Sequence, residues 1–199
     1  MMAITQRGFK GLLAGALIAC AFLQTAVAAE VGGVKFADTA TVAGKELKLN
    51  GLGLRTKFIV KVYAAGLYLP EKKNNVPDIM KSEGPRRLTL VMMRDISSDD
   101  FGQAFMTGIN NNIDKAEKTK YVSQISKFGE MFGSIESLKK GDVLHIDWIP
   151  GTGTQNELNG KKIGEVTPDV NYYNAILKIW LGDKPADSAL KPLLLGEAR

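Results

Sequence analysis

One cysteine and one histidine in 199 residues remove several kinds of chemistry at once. The cysteine, Cys20, lies in an N-terminal stretch that reads as a targeting segment, so a processed chain has no disulfide and must rely on its core. A lone His145 cannot build a multi-histidine metal site, and without cysteines a zinc site lacks ligands, so no metal is expected. His145 also lacks the sequence context of a catalytic triad and reads as a structural residue within a strand. Gly51-Leu52-Gly53 precedes an apolar run instead of following a strand and opening a helix. It is therefore not a dinucleotide motif but reads as a turn allowing close backbone approach, and no cofactor is expected. No basic stripe interleaved with aromatics appears. Arg86-Arg87, Lys139-Lys140 and Lys161-Lys162 are isolated pairs that read as solvated element ends, which excludes a nucleic-acid partner. There is no internal repeat, and no linker long enough to separate two domains.

The N-terminus carries a basic Arg7 and Lys10, an apolar Gly11 to Leu23, and the small residues Ala26-Val27-Ala28. This order reads as a cleaved secretory signal over residues 1–28, with one domain over 29–199 and a mature start at Ala29. The apolar core falls short of the roughly 20 residues a spanning helix needs, so no integral span is expected after processing. Leu17-Ile18-Ala19-Cys20 resembles a lipoprotein box, but the residues after Cys20 stay apolar. A periplasmic or secreted soluble protein is expected, with lipid anchoring through Cys20 as the alternative. Removing Arg7 and Lys10 lowers the formal charge from +5 to +3.

In the remaining chain Val34 to Phe36 and Thr41 to Leu49 read as edge strands, with a turn at Ala43-Gly44-Lys45. Phe58 to Leu69 is a long apolar and β-branched run, as a buried central strand requires. Val76 to Ser82 reads as a short helix, and Leu88 to Met93 as a strand. Ser97 and Asp100 form a capping-box-like start, where Asp99-Asp100 compensate the helix dipole. Phe101, Phe105, Ile109 and Ile113 then share one helical face. A second helix gathers Val122, Ile125, Gly129, Phe132 and Ile135. Val143 to Ile149 alternates, and Asn159-Gly160 marks a hairpin. Asn171 to Leu181 forms a helix stopped by Gly182 and Pro185. The pattern implies an α+β fold, an antiparallel β-sheet packed by a layer of helices on one face. Trp148 and Trp180, with Phe101, Phe105, Phe128 and Phe132, read as core.

Two blocks go further. Gly51 to Pro70 reads GLGLRTKFIVKVYAAGLYLP, and Ala175 to Asp187 reads AILKIWLGDKPAD. Together they resemble the chalcone isomerase superfamily, in its bacterial secreted branch, from roughly Val34 to the end. Gly51, Gly53 and Arg55 match the family's GxGxR, while Lys61, Gly66, Tyr68 and Leu69 match the strand after it. The resemblance implies an open-faced sandwich with a cleft between sheet and helices, in a family that contains cyclising isomerases, fatty-acid-binding proteins and members without known activity. The family arginine falls on Arg55, the enzymes' strand threonine on Tyr63, their helix tyrosine on Phe101, the following asparagine on Gly108 and the late threonine on Ile179.

Phe101, Gly108 and Ile179 offer no side-chain donor to a developing enolate, and one good donor is commonly worth roughly 3–4 kcal/mol. Chalcone cyclisation is therefore not expected. A guanidinium beside an apolar cleft would hold a carboxylate through its planar fork. The expected ligand-binding set is Arg55, Tyr63, Tyr68, Phe101, Phe105, Gly108 and Ile179, and the expected partner is a fatty acid or other small apolar acid. Two alternatives stay open. One is a cofactor-free isomerase with Arg55 as oxyanion stabiliser and Tyr63 or Tyr68 as proton donor; the other is an envelope scaffold or interaction protein. The oligomeric state is not legible.

Overall fold

Two-residue turns with positive φ set the sheet. In the computed structural model, which describes residues 28–197, Ala43 and Gly44 adopt φ of 48° and 74°. They join β3 (Thr39–Val42) to β4 (Lys45–Lys57). Asn159 and Gly160 (φ 51° and 80°) do the same between β10 (Gly153–Leu158) and β11 (Lys161–Thr167), as expected of Asn-Gly. With β5 (Val60–Leu69), β6 (Arg86–Met92) and β9 (Val143–Ile149) these strands form one antiparallel sheet, ordered β11-β10-β9-β6-β5-β4-β3. The small hairpin β1 (Ala28–Val31) and β2 (Val34–Ala37) stands apart, as does the pair β7 (Ile96–Ser97) and β8 (Ser137–Leu138).

The helices follow their caps. Short α1 (Val76–Met80) is capped by Asn75, whose side chain accepts from the Asp78 N–H. Ser97 caps α2 (Ser98–Asn112) through the Asp100 N–H, and Asp114 forms a full capping box with Glu117 on α3 (Lys115–Gly133). Asp169 caps α4 (Val170–Leu181), and α5 (Leu190–Leu194) closes the chain. One core lies between sheet and helices, built from residues such as Leu67, Leu90, Ile109, Phe132 and Ile176. On the other sheet face Val31, Phe36, Val42, Leu47, Leu49, Ala64 and Tyr68 form a smaller cluster under the β1–β2 hairpin. The fold is the expected α+β sheet with a helical layer on one face.

Several local expectations are corrected. Gly51-Leu52-Gly53 is not a turn but lies within β4. A Cβ on Gly51 would sit 2.0 Å from the Leu193 carbonyl oxygen, and one on Gly53 would meet the Leu190 and Leu193 side chains within 2.8 Å. The glycines let α5 approach the strand, and buried Asn50 locks it there by donating to the Leu194 carbonyl at 2.8 Å. The apolar run does not begin as buried strand: Phe58 and Ile59 form an exposed turn, and β5 starts at Val60. On α3 the buried face is Tyr121, Ile125, Phe128 and Phe132, while Val122 is exposed. That face is chosen by Tyr121, which packs on Tyr172 and donates to Asp169 at 3.2 Å. Gly182 has φ −73°, so its lack of a side chain serves contact with Asn112, whose Oδ1 would lie 2.3 Å from a Cβ.

Arg86 and Arg87 are not solvated ends either. Arg86 is fully buried, donates to the Ile79 carbonyl and Asn174 Oδ1 at 3.0 and 2.8 Å, and lies over the Tyr173 ring. Arg87 makes a two-pronged contact with buried Asp147 at 2.8 and 2.7 Å. His145 pairs across the sheet with Thr89, whose Oγ1 is 2.9 Å from Nδ1. The signal segment lies outside the described residues, apart from Ala28.

Candidate functional site

The β4–β5 hairpin brings two of the expected residues together. Arg55 and Tyr63 are cross-strand partners, and the Arg55 guanidinium carbon lies 5.4 Å from the centroid of the Tyr63 ring, within cation–π range. Tyr63 is buried, and its hydroxyl accepts from Trp180 Nε1 at 2.7 Å. Its own proton remains for a further acceptor. Burial pushes the Tyr63 phenol up, against the opposing pull of Arg55, so it stays a proton-bearing donor at neutral pH.

Arg55 is half-buried. Its Nε is shielded from solvent and has no hydrogen-bond partner. Among the described residues no carboxylate lies within ion-pair distance of it. A buried donor left in this state costs about 1–3 kcal/mol until something accepts from it. Arg86 likewise leaves its Nε and Nη2 without a partner, but it is enclosed in the core over the Tyr173 ring with two acceptors on its Nη1, whereas Arg55 borders a groove.

The C-terminal block completes the setting. The β4–β5 ladder is irregular between Arg55 and Thr56, and the freed Thr56 N–H donates to Asp187 Oδ2 at 2.8 Å. Asp187 Oδ1 accepts from the Ala189 N–H, also at 2.8 Å, so one carboxylate pins the end of the AILKIWLGDKPAD block beside the arginine. That holds Ala186 against the site.

Arg55, Tyr63, Phe101, Phe105, Ile179 and Trp180 surround a cavity of only ≈ 20 Å³, about the space of one water. Phe105 stacks on Phe128 at 3.9 Å and Phe101 tilts against Phe132 at 4.7 Å, which ties α2 to α3 and closes the interior. Gly108 and Ile179 meet directly: a Cβ at Gly108 would lie 2.6 Å from Ile179 Cγ2. The isoleucine fills the space that the glycine leaves. The expected cleft between sheet and helices is thus packed shut. A groove of ≈ 670 Å³ opens outside it, sharing Arg55, Ala104 and Ala186 with the small cavity. Val60, Val62, Ile96 and Pro185 line the groove with apolar surface, and Lys57, Arg94 and Lys184 add cations.

The structure therefore gathers Arg55, Tyr63, Phe101, Phe105, Gly108 and Ile179 around one locus, with Arg55 at the junction of cavity and groove. Tyr68 is not part of it. It lies in the cluster on the opposite sheet face and donates to the Ala37 carbonyl at 3.0 Å. Positions 63 and 68 differ by an odd number, so a strand must send them to opposite faces. Sequence reasoning missed Trp180 as the partner of Tyr63, and Ala104 and Ala186 as the connection to the groove. Ala104 stands three residues after Phe101, a spacing that puts it on the same helical face.

Comparison with known proteins agrees with the architecture. A family model described as chalcone isomerase-like matches residues 28–196. The crystal structure of a fatty-acid-binding protein from Arabidopsis thaliana superposes with a TM-score of 0.67 at 16% sequence identity, covering 82% of this chain and 92% of that one. No curated protein sequence matches. At this identity the likeness to the plant protein carries the fold alone.

Proposed function

This chain belongs to the chalcone isomerase-like family, and from that premise we propose that it binds a fatty acid or similar small apolar carboxylate, with the head group on Arg55. The observation that carries this reading is the buried Arg55 Nε without an acceptor, at the inner end of a partly apolar groove. A carboxylate at that end of the groove would give the guanidinium a charge-assisted partner. The groove's ≈ 670 Å³ falls within the roughly 300–1,000 Å³ of small-molecule sites, whereas the ≈ 20 Å³ cavity does not. The ligand's chain therefore lies along Val60, Val62, Ile96 and Pro185 instead of entering the packed interior. The fatty-acid-binding description of the plant structural neighbour points the same way.

Titration calorimetry on delipidated protein tests this with a long-chain carboxylic acid and its matched alcohol. A two-pronged charge-assisted contact is worth about 1.5–3 kcal/mol, so Arg55→Ala should weaken the acid by roughly tenfold or more. Arg55→Lys should recover part of the loss, since an ammonium keeps the charge without the fork. The alcohol should bind weakly to all three proteins. Equal affinity for acid and alcohol, or an indifferent Arg55→Ala variant, would make Arg55 a structural residue.

A further inference from the structure

The turn between β4 and β5 breaks two rules of hairpin chemistry at once. Lys57 pairs with Val60, which leaves Phe58 and Ile59 as a two-residue turn. Such turns use Gly, Asn or Asp, because a central residue must take positive φ. Here Phe58 does so, at 57°, a strained backbone for a bulky side chain. Packing does not offset the strain, since Phe58 and Ile59 are 93% and 95% exposed. With half-exposed Val60 they make a continuous apolar tip. Lys57 and Lys61 bracket it, both exposed, and Arg94 and Lys184 line the groove nearby. The acids of that groove are Asp95 and Asp100. Asp95 faces Lys139 and accepts from the Lys140 N–H, and Asp100 accepts from Ser97, so neither is paired with the hairpin lysines.

We propose that the Phe58–Ile59 tip inserts into the interfacial layer of an anionic lipid bilayer while Lys57 and Lys61 rest on its phosphates. Apolar side chains on the end of a hairpin, flanked by lysines, combine the two forces that hold peripheral proteins at a membrane: buried apolar area and attraction to anionic lipid. Two side chains are far too little for a stable protein interface, which needs about 1,000 Å² with good complementarity. Tip-to-tip pairing of two copies would set Lys57 and Lys61 against their own counterparts. Insertion would also bring the mouth of the Arg55 groove to the lipid surface, but docking stands on the hairpin alone and does not depend on what the groove binds.

Flotation with phosphatidylglycerol–phosphatidylcholine vesicles tests it on the full chain. The variant Phe58→Gly/Ile59→Asn gives the turn the residues its backbone calls for. It should be at least as stable as wild type toward urea yet partition onto the vesicles more than tenfold more weakly. Both proteins share one N-terminus, so the difference reports the tip. Wild-type binding should fall with added salt, with Lys57→Glu/Lys61→Glu, and on pure phosphatidylcholine. A fluorophore on Ile59→Cys, in a Cys20→Ser background, should shift to the blue on vesicle addition. Equal partitioning of wild type and the turn variant, a fluorophore that stays in water, or a tip-dependent dimer by light scattering in place of vesicle binding would each overturn the proposal.

Discussion

Substituting Gly108 tests whether the interior is shut by the pairing of a glycine with an isoleucine. Gly108 is buried within α2 and its backbone is ordinary helix, so alanine alone should gain about 1 kcal/mol from helix propensity. The new methyl, however, would stand 2.6 Å from Ile179 Cγ2 and 3.4 Å from its Cβ and Cγ1. Ile179 is 3% exposed and β-branched on a helix, which leaves it essentially one rotamer, so it cannot swing aside. Overpacking of this kind costs about 1–3 kcal/mol. The clash should win, and Gly108→Ala should destabilise by up to about 2 kcal/mol. Ile179→Val would not help, because valine keeps the offending Cγ2. Ile179→Ala removes it and should itself cost about 2–5 kcal/mol through the cavity it leaves. In that background Gly108→Ala should reverse sign and stabilise by up to about 1 kcal/mol, giving a coupling of roughly 1–3 kcal/mol. Urea unfolding of the four proteins, followed by circular dichroism at one temperature, measures the cycle. Additivity within about 0.5 kcal/mol would refute the reasoning, since contacting sites must couple.

Two further outcomes can be checked alongside. Tyr63→Phe removes the acceptor 2.7 Å from buried Trp180 Nε1 and should cost about 1–3 kcal/mol in urea unfolding; unchanged stability would mean that the indole finds another acceptor. Burial, aided by Arg87, holds the His145 imidazole down to about 4 from 6.5. The unfolded chain then takes up a proton that the native state refuses, so this contribution is intact above about pH 6.5 and is lost as pH falls toward 4. The full linkage would be about 3.4 kcal/mol, and the ring's partial exposure reduces it to roughly 1–2 kcal/mol. His145→Asn should flatten the stability curve over that window, and a curve that keeps the wild-type slope would exclude His145 as its source.

Where local chemistry is strong, the chain could be read directly. Asn159-Gly160 makes its turn, Ser97 caps α2, and the four-residue spacing of Phe101, Phe105 and Ile109 puts all three in the core. The reading failed at Phe58 and Ile59, where two apolar β-formers occupy a turn. Apolar periodicity cannot distinguish a residue buried in the core from one held out in water. It also shifted the buried face of α3 by one position, since Val122 looks more apolar than Tyr121 until Tyr172 and Asp169 are in place.

From sequence alone followed the α+β class, because strand alternation, turn residues and caps act over a few neighbouring positions, and the family, through the resemblance of the Gly51–Pro70 and Ala175–Asp187 blocks. Tertiary structure alone decided that Gly51 and Gly53 serve the approach of α5, that Arg86 lies inside, and that Tyr68 faces away from the site. It also decided that the roomy space beside Arg55 is a groove outside a closed core. Whether a cleft stays open depends on how side chains from distant strands and helices fill one another's gaps, as Ile179 fills that of Gly108. That complementarity exists only once the sheet and its helices have met.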